Sequence, residues 1–182
     1  AGKGVLPDLP SRVLILGGDE GMLGSAMAHA LRAAGCELFA ESSHRVQGWN
    51  TTAWCKHLEE LEPELVINTM SYPDPVLAEQ EPCKAFYWNK EMPSSLACAL
   101  RAFGLGFVFF SSDYVFDGLQ QTPYTIHDWP NPLSVYGQSL LAGERALQDS
   151  GLENLLIIRS SWLYGPFGSN FVDWVLNQGR HC

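Results

Sequence analysis

The chain has 182 residues, 46% hydrophobic and 17% charged, which suits one globular domain with a real core and excludes a disordered tract. Lys+Arg 11 against Asp+Glu 20 give a net charge of −9, a balance that repels phosphate backbones and argues against nucleic acid as a main partner. The five cysteines (Cys36, Cys55, Cys83, Cys98, Cys182) form no C-x-x-C pair and no zinc spacing. Reduced thiols in an intracellular compartment, cytoplasm or organelle interior, are therefore expected, with no metal site.

Residues 1–11, with Pro7 and Pro10, are read as an extended N-terminal arm, and no secretory signal is visible at Ala1-Gly2-Lys3-Gly4. Val13–Leu16 is a short β-type run followed at once by glycines. Met22–Ala34 has helical composition and stops at Gly35, the usual residue past a helix end. A short strand, Glu37–Ala40, follows. After a polar loop, Trp54–Leu61 reads as a helix ended by Pro63, and Leu65–Thr69 as a buried strand. Cys83–Phe103 is mostly helical, with Pro93 kinking or restarting it. Gly106–Phe110 is a strongly apolar strand, and the apolar run around it, Ala102–Phe110, is bounded by Arg101 and Ser111, interrupted by Gly104 and Gly106 and too short for a membrane span. Ser134–Ser150 is a helix, Leu155–Arg159 a strand and Asn170–Leu176 a last helix. This alternation predicts an α/β fold over residues 12–182, a doubly wound parallel sheet of Rossmann type.

Gly18, Gly21 and Gly24 sit between the first strand and the first helix, where glycine allows a tight turn and lets a pyrophosphate approach the backbone. Met22 and Leu23 open that helix and join the candidate cofactor contacts, because a helix N-terminus holds phosphate through its free N–H groups. Beyond the second strand the chain carries both Glu41, which suits the ribose hydroxyls of NAD, and Arg45, which suits the 2′-phosphate of NADP. The choice of cofactor stays open at this level.

Three blocks carry a family resemblance: Gly18-x-x-Gly21-x-x-Gly24, Ser111-Ser112-Asp113-Tyr114-Val115-Phe116-Asp117-Gly118, and Val135-Tyr136-Gly137-Gln138-Ser139-Leu140-Leu141-Ala142-Gly143-Glu144. In this order they resemble extended short-chain dehydrogenase/reductases, and among those the dTDP-4-dehydrorhamnose reductases. Leu65-Val66-Ile67-Asn68, Asn131-Pro132 and Ile158 to Pro166 extend the likeness from about Arg12 to Leu176. The resemblance implies hydride reduction of a 4-keto nucleotide sugar with NADP or NAD. It implies a catalytic set of Ser112 on the substrate carbonyl, Tyr136 as proton donor and Asn89 in the preceding helix. It also implies Gln47 near the adenine, Asn68 beside the cofactor, and a C-terminal substrate lobe that is absent or truncated here.

One position departs from the pattern. The family wording Y-G-x-[ST]-K-L-x-G-E requires a lysine where this chain has Leu140. A free tyrosine titrates near 10, so it needs that cation to become a useful acid at neutral pH. Met70 likewise stands where relatives carry a small residue. Two readings follow. One is a reductase whose activity is weakened or lost. The other is a non-catalytic accessory subunit, as in the similar regulatory beta subunit of methionine adenosyltransferase, with a protein complex partner or a second copy (a homo-oligomer) as its contact.

Overall fold

The structure, a computed structural model, describes residues 9–72, 74–168 and 170–179. Residues 1–8 of the expected arm, and Cys182, lie outside the described residues.

Five strands form one parallel sheet: β1 (Arg12–Leu16), β2 (Glu37–Glu41), β3 (Leu65–Asn68), β4 (Gly106–Ser112) and β5 (Leu155–Ser160), in the order β2-β1-β3-β4-β5. The helices are α1 (Gly21–Ala33), α2 (Ser43–Val46), α3 (Thr51–Leu61), α4 (Pro75–Gln80), α5 (Pro82–Phe86), α6 (Met92–Phe103), α7 (Val135–Gln148) and α8 (Phe171–Gly179). The strand β1 lies inside the sheet, second from one edge; the chain leaves it first towards that edge, at β2, then towards the other, through β3, β4 and β5. That reversal opens a crevice at the carboxyl ends of β1 and β3, where open α/β sheets bind ligands.

Strand periodicity divides the core between the two faces. Leu14, Leu16, Val66, Phe107 and Phe109 point to one face and pack with Trp54 and Leu58 of α3, Leu96 and Leu100 of α6, and Leu140 and Leu147 of α7. Val13, Ile15 and Ile67 point to the other face and meet Ala28 of α1.

The polar stretch after β2 is more ordered than expected. It holds the single turn α2, and α3 begins at Thr51 because Asn50 accepts the Ala53 N–H at 3.0 Å as N-cap. The helix α4 was not anticipated, although Asp74 followed by Pro75 is a start signal: Asp74 accepts the N–H groups of Val76 and Leu77. Pro93, where a kink or a restart was expected, lies in a continuous helical run whose geometry changes just before it. Its ring nitrogen cannot donate to the Asn89 carbonyl one turn back, and the residues Tyr87–Glu91 widen into a π-helical turn. β4 runs on through Ser112 because β5 pairs with it to that point, Ser111 opposite Arg159 and Ser112 opposite Ser160.

Candidate functional site

The glycine turn is built by close packing. A Cβ on Gly24 would stand 1.7 Å from the Gly17 carbonyl oxygen, so α1 can lie this tightly on the turn only with glycine there. Gly21 has φ +69°, and Gly18 is buried at the end of β1. The Gly17 N–H donates to the Glu41 carbonyl at 2.8 Å and ties the turn to β2. Glu20, at the N-cap position of α1, makes no cap; its carboxylate accepts from the Ser43 N–H at 2.8 Å and the Ser43 hydroxyl at 3.2 Å. The first N–H groups of α1, at Met22 and Leu23, are therefore left without a capping side chain, the condition for holding an anion. The Met22 side chain lies against the turn through Gly165.

The crevice above this turn has a volume of about 410 Å³ and is lined by Gly17, Glu20, Gly21, Ser43, Met70 and Trp88, among others. Asn68 is buried at the carboxyl end of β3, just before the lining residues Thr69 and Met70. Its side-chain Oδ1 accepts the Met70 N–H at 3.0 Å, while its Nδ2 has no partner among the described residues. The Met70 Cγ lies 3.3 Å from where a Gly17 Cβ would stand, so this side chain packs directly on the glycine turn. Gln47 is exposed at the end of α2.

Glu41 and Arg45 come together rather than offering alternatives. The Glu41 carboxylate is buried, with one oxygen 2.8 Å from His57 Nε2 and the other 3.1 Å from Arg45 Nε. Nothing in the sequence pattern pointed to His57.

At the carboxyl end of β4, the Ser112 hydroxyl donates to Asp113 at 2.9 Å and accepts weakly from the Tyr114 N–H. The 3₁₀ turn Asp113–Val115 follows, and α7 docks on it, so that Tyr136 and Ser112 share one edge of the sheet. Burial pushes the Tyr136 hydroxyl above its ordinary value, a hydrogen bond from Ser71 opposes this, and Tyr114 and Asp113 add to the rise. The phenol is thus a weaker acid than free tyrosine. Ser71 was not singled out from the sequence.

Leu140, one turn along the same face of α7, is 1% exposed and belongs to the same core cluster as Met70. Arg159, a candidate substitute cation, is committed elsewhere. It makes a two-pronged pair with Glu144 at 2.9 and 2.5 Å and stacks over Phe116 at 5.0 Å. Glu144 holds the guanidinium in its charged form. Asn89 is fully buried: its oxygen accepts the Tyr72 N–H at 2.7 Å and its amide donates to the Ser139 hydroxyl at 2.8 Å. It holds the crevice wall to α7, and its side-chain hydrogen bonds go to neither Ser112 nor Tyr136. No cluster of metal-ligating side chains occurs among the described residues. No described helix is long and apolar enough to cross a membrane.

A parallel sheet whose order reverses at a glycine turn, with serine and tyrosine at the ligand-binding edge, defines an extended short-chain dehydrogenase/reductase of Rossmann type. A family model described as the RmlD substrate binding domain matches residues 11–181, and the chain belongs to that family as a dTDP-4-dehydrorhamnose reductase-like protein. It is 32% identical over 171 residues to the dTDP-4-dehydrorhamnose reductase of Shigella flexneri, an alignment covering 92% of this chain and 56% of that protein. The enzyme of the same name from Sinorhizobium fredii is 37% identical over 119 residues, 65% of this chain and 40% of that protein. Among solved structures, the dTDP-4-dehydrorhamnose reductase of Bacillus anthracis in complex with NADP superimposes with a TM-score of 0.88 at 28% identity, covering 97% of this chain and 62% of that one. This chain spans about half the length of the curated relatives it matches.

Proposed function

We propose that this chain is the dinucleotide-binding part of a dTDP-4-dehydrorhamnose reductase-like protein that holds NADP or NAD in the crevice above the glycine turn, with weak or no reductase turnover. The observation that carries this reading is the pairing of an uncapped α1 N-terminus with an apolar residue, Leu140, buried where the proton donor needs a cation. Met22 and Leu23 would hold the pyrophosphate through their N–H groups, and the unpaired Asn68 amide would donate into the crevice. Gln47 would lie by the adenine, and Gly18, Gly21 and Gly24 would let the backbone close on the phosphates.

The bound nicotinamide would supply hydride to the 4-keto carbon of a nucleotide sugar. Ser112 would donate a hydrogen bond to that carbonyl, and Tyr136 would deliver the proton. Asn89 acts from behind, positioning Tyr72 and Ser139 rather than meeting the substrate. With its pKa raised and no lysine beside it, Tyr136 should fall short of a tuned donor by about 100- to 10,000-fold in rate.

The test is a tryptophan energy-transfer titration with NADH and NADPH, followed by single-turnover assays on a 4-keto nucleotide sugar. Cofactor binding with slow turnover that disappears in Tyr136→Phe supports the reading. No binding from a folded sample sinks it, and equal turnover in Tyr136→Phe removes Tyr136 from the chemistry. A second reading, a non-catalytic subunit of a larger assembly or homo-oligomer, is favoured by the same buried Leu140. It expects cofactor binding with no turnover at all, and co-purification with a defined partner or a second copy.

A further inference from the structure

Tyr136 has no cation on its own face of α7, and the charges on the elements packed around that helix are engaged elsewhere or have the wrong sign. Lys84 of α5 is paired with Glu81 at 2.7 Å, Lys90 with Glu91 at 3.0 Å, and Arg159 of β5 with Glu144. Arg101 of α6 donates to the Ser150 carbonyl at 3.0 Å. Glu79 of α4 accepts the Val135 N–H at 2.8 Å, and Asp113 and Tyr114, on the turn after β4, both oppose ionisation of the phenol. What remains to assist Tyr136 among the described residues is a hydroxyl.

Three serine hydroxyls near the start of α7 are spent on other partners. Ser112 donates to Asp113 at 2.9 Å, Ser134 accepts the Gly137 N–H at 3.1 Å, and Ser139 donates to the Tyr136 carbonyl at 2.7 Å. Ser71 is placed differently. It follows β3 on a segment pinned on both sides of it. Thr69 donates its N–H and its hydroxyl to the Leu16 carbonyl at 3.0 and 2.7 Å, and the Met70 N–H donates to Asn68 at 3.0 Å. After it, the Tyr72 N–H donates to Asn89 at 2.7 Å, and the Tyr72 ring lies in the cluster that packs on Tyr136. Ser71 is half-buried, lines the crevice, and makes its side-chain hydrogen bond to Tyr136. A segment held at its neighbours presents that hydroxyl with little freedom left to lose.

We propose that Ser71 takes over part of the task of the absent cation: its hydroxyl donates to the Tyr136 oxygen and returns a proton to it after transfer. This rests on the reductase reading above. The alkoxide left by hydride addition to the ketone takes the Tyr136 proton. The phenolate so formed takes the Ser71 proton, and Ser71 takes one from solvent in the crevice, so one proton enters for each that leaves in product. Ser71 thus acts through Tyr136 and needs no contact with the sugar. A hydrogen bond to a charged group favours it by about ten- to a hundred-fold. A tuned proton donor is worth about 100- to 10,000-fold, so a neutral hydroxyl recovers part of the rate and leaves turnover slow.

The test follows Tyr136 in the whole chain by tyrosinate absorbance, its step identified as the one missing in Tyr136→Phe. Single-turnover reduction of a 4-keto nucleotide sugar with NADPH or NADH is measured beside it. Ser71→Ala should move the Tyr136 step to higher pH, because the phenolate loses its donor, and leave the Tyr72 step, set by Glu81, in place. Turnover should fall about ten- to a hundred-fold, with its pH profile displaced in the same direction. Ser71→Thr keeps the hydroxyl and should restore both. A Tyr136 step that stays in place in Ser71→Ala, or turnover unchanged by it, overturns the inference and leaves the reductase reading standing. Tyr72 and Tyr136 steps that move together, as a displaced segment would make them, do the same. A folded unaltered chain with no Tyr136-dependent turnover overturns that reading and this one together.

Discussion

Gly137 lies so close to the Tyr114 carbonyl that a Cβ on it would stand 2.1 Å from the oxygen. This contact seats the first turn of α7 on the 3₁₀ turn that follows Ser112, and the Tyr114 and Tyr136 rings meet edge to face at 5.4 Å. The obstacle is backbone, which cannot rotate away as a side chain would. Gly137→Ala should therefore push α7 off the turn and cost about 1–3 kcal/mol. Chemical denaturation measures it; an unchanged midpoint would contradict the packing.

Asn89 joins two elements through one amide, accepting from the Tyr72 N–H and donating to the Ser139 hydroxyl. Asn89→Ala leaves the buried Tyr72 N–H without its acceptor, at about 1–3 kcal/mol, while the Ser139 hydroxyl keeps its bond to the Tyr136 carbonyl. Tyr72 lines the crevice, so the variant should also weaken cofactor binding. Loss of stability with cofactor affinity intact would show that the amide supports α7 alone.

Leu140→Lys puts an ammonium among core side chains. Burial disfavours the charged form, so the variant should melt well below the parent while Leu140→Met, similar in volume, costs under about 1.5 kcal/mol. Thermal unfolding with and without NADPH separates the cases. A lysine variant as stable as the parent, with reductase turnover gained, would mean that the crevice still has room for the cation.

Asp117 organises the loop between β4 and α7. It accepts from Asn131 at 3.0 Å, from the Leu119 N–H at 3.0 Å and from the Tyr124 hydroxyl at 2.8 Å, and these bonds hold its carboxyl below the usual aspartate range. A depressed folded pKa means stabilisation that is complete above the unfolded value, near 3.9, and is lost as pH falls through the folded one. Amide exchange in residues 117–131 should rise below about pH 4. The same segment should open at neutral pH in Asp117→Asn. Uniform protection across that range would count against the role.

Two tyrosines should titrate late. The Tyr72 hydroxyl donates to Glu81 at 2.6 Å and is pushed up to about 12, and burial raises Tyr136 in the same direction. Both stay neutral in the fold after the unfolded chain has begun to ionise near pH 10, so stability falls from there as pH rises. Tyrosinate absorbance should show two late steps, one of them missing in Tyr136→Phe.

The strand and helix alternation was legible because burial on a parallel sheet leaves short apolar runs, and glycine marked both the turn after β1 and the end of α1. The catalytic-type blocks were legible as blocks. Less visible were α2 and α4, short helices held by Glu20 and Asp74 rather than by any apolar stripe. The extent of β4 was also hidden, since its last two residues join the sheet only through pairing with β5. Nor does the chain show which tryptophans pack inside: Trp54 is core, whereas Trp129, Trp162 and Trp174 are exposed.

By itself, the sequence determined what chemistry each position can offer: a turn only glycine fits, a hydroxyl at a strand end, a tyrosine without its lysine. These are properties of single residues and their near neighbours, so they survive without coordinates. Tertiary structure alone decided which of those groups remain available. Glu41 and Arg45 looked like rival cofactor ligands in the chain, yet folding set His57 beside the carboxylate and left the guanidinium outside. Arg159 is paired only because α7 brings Glu144, fifteen residues away in the chain, against it. The reason is physical. A charge is satisfied by whatever the fold places within a few ångströms of it, and that neighbour can lie anywhere along the chain.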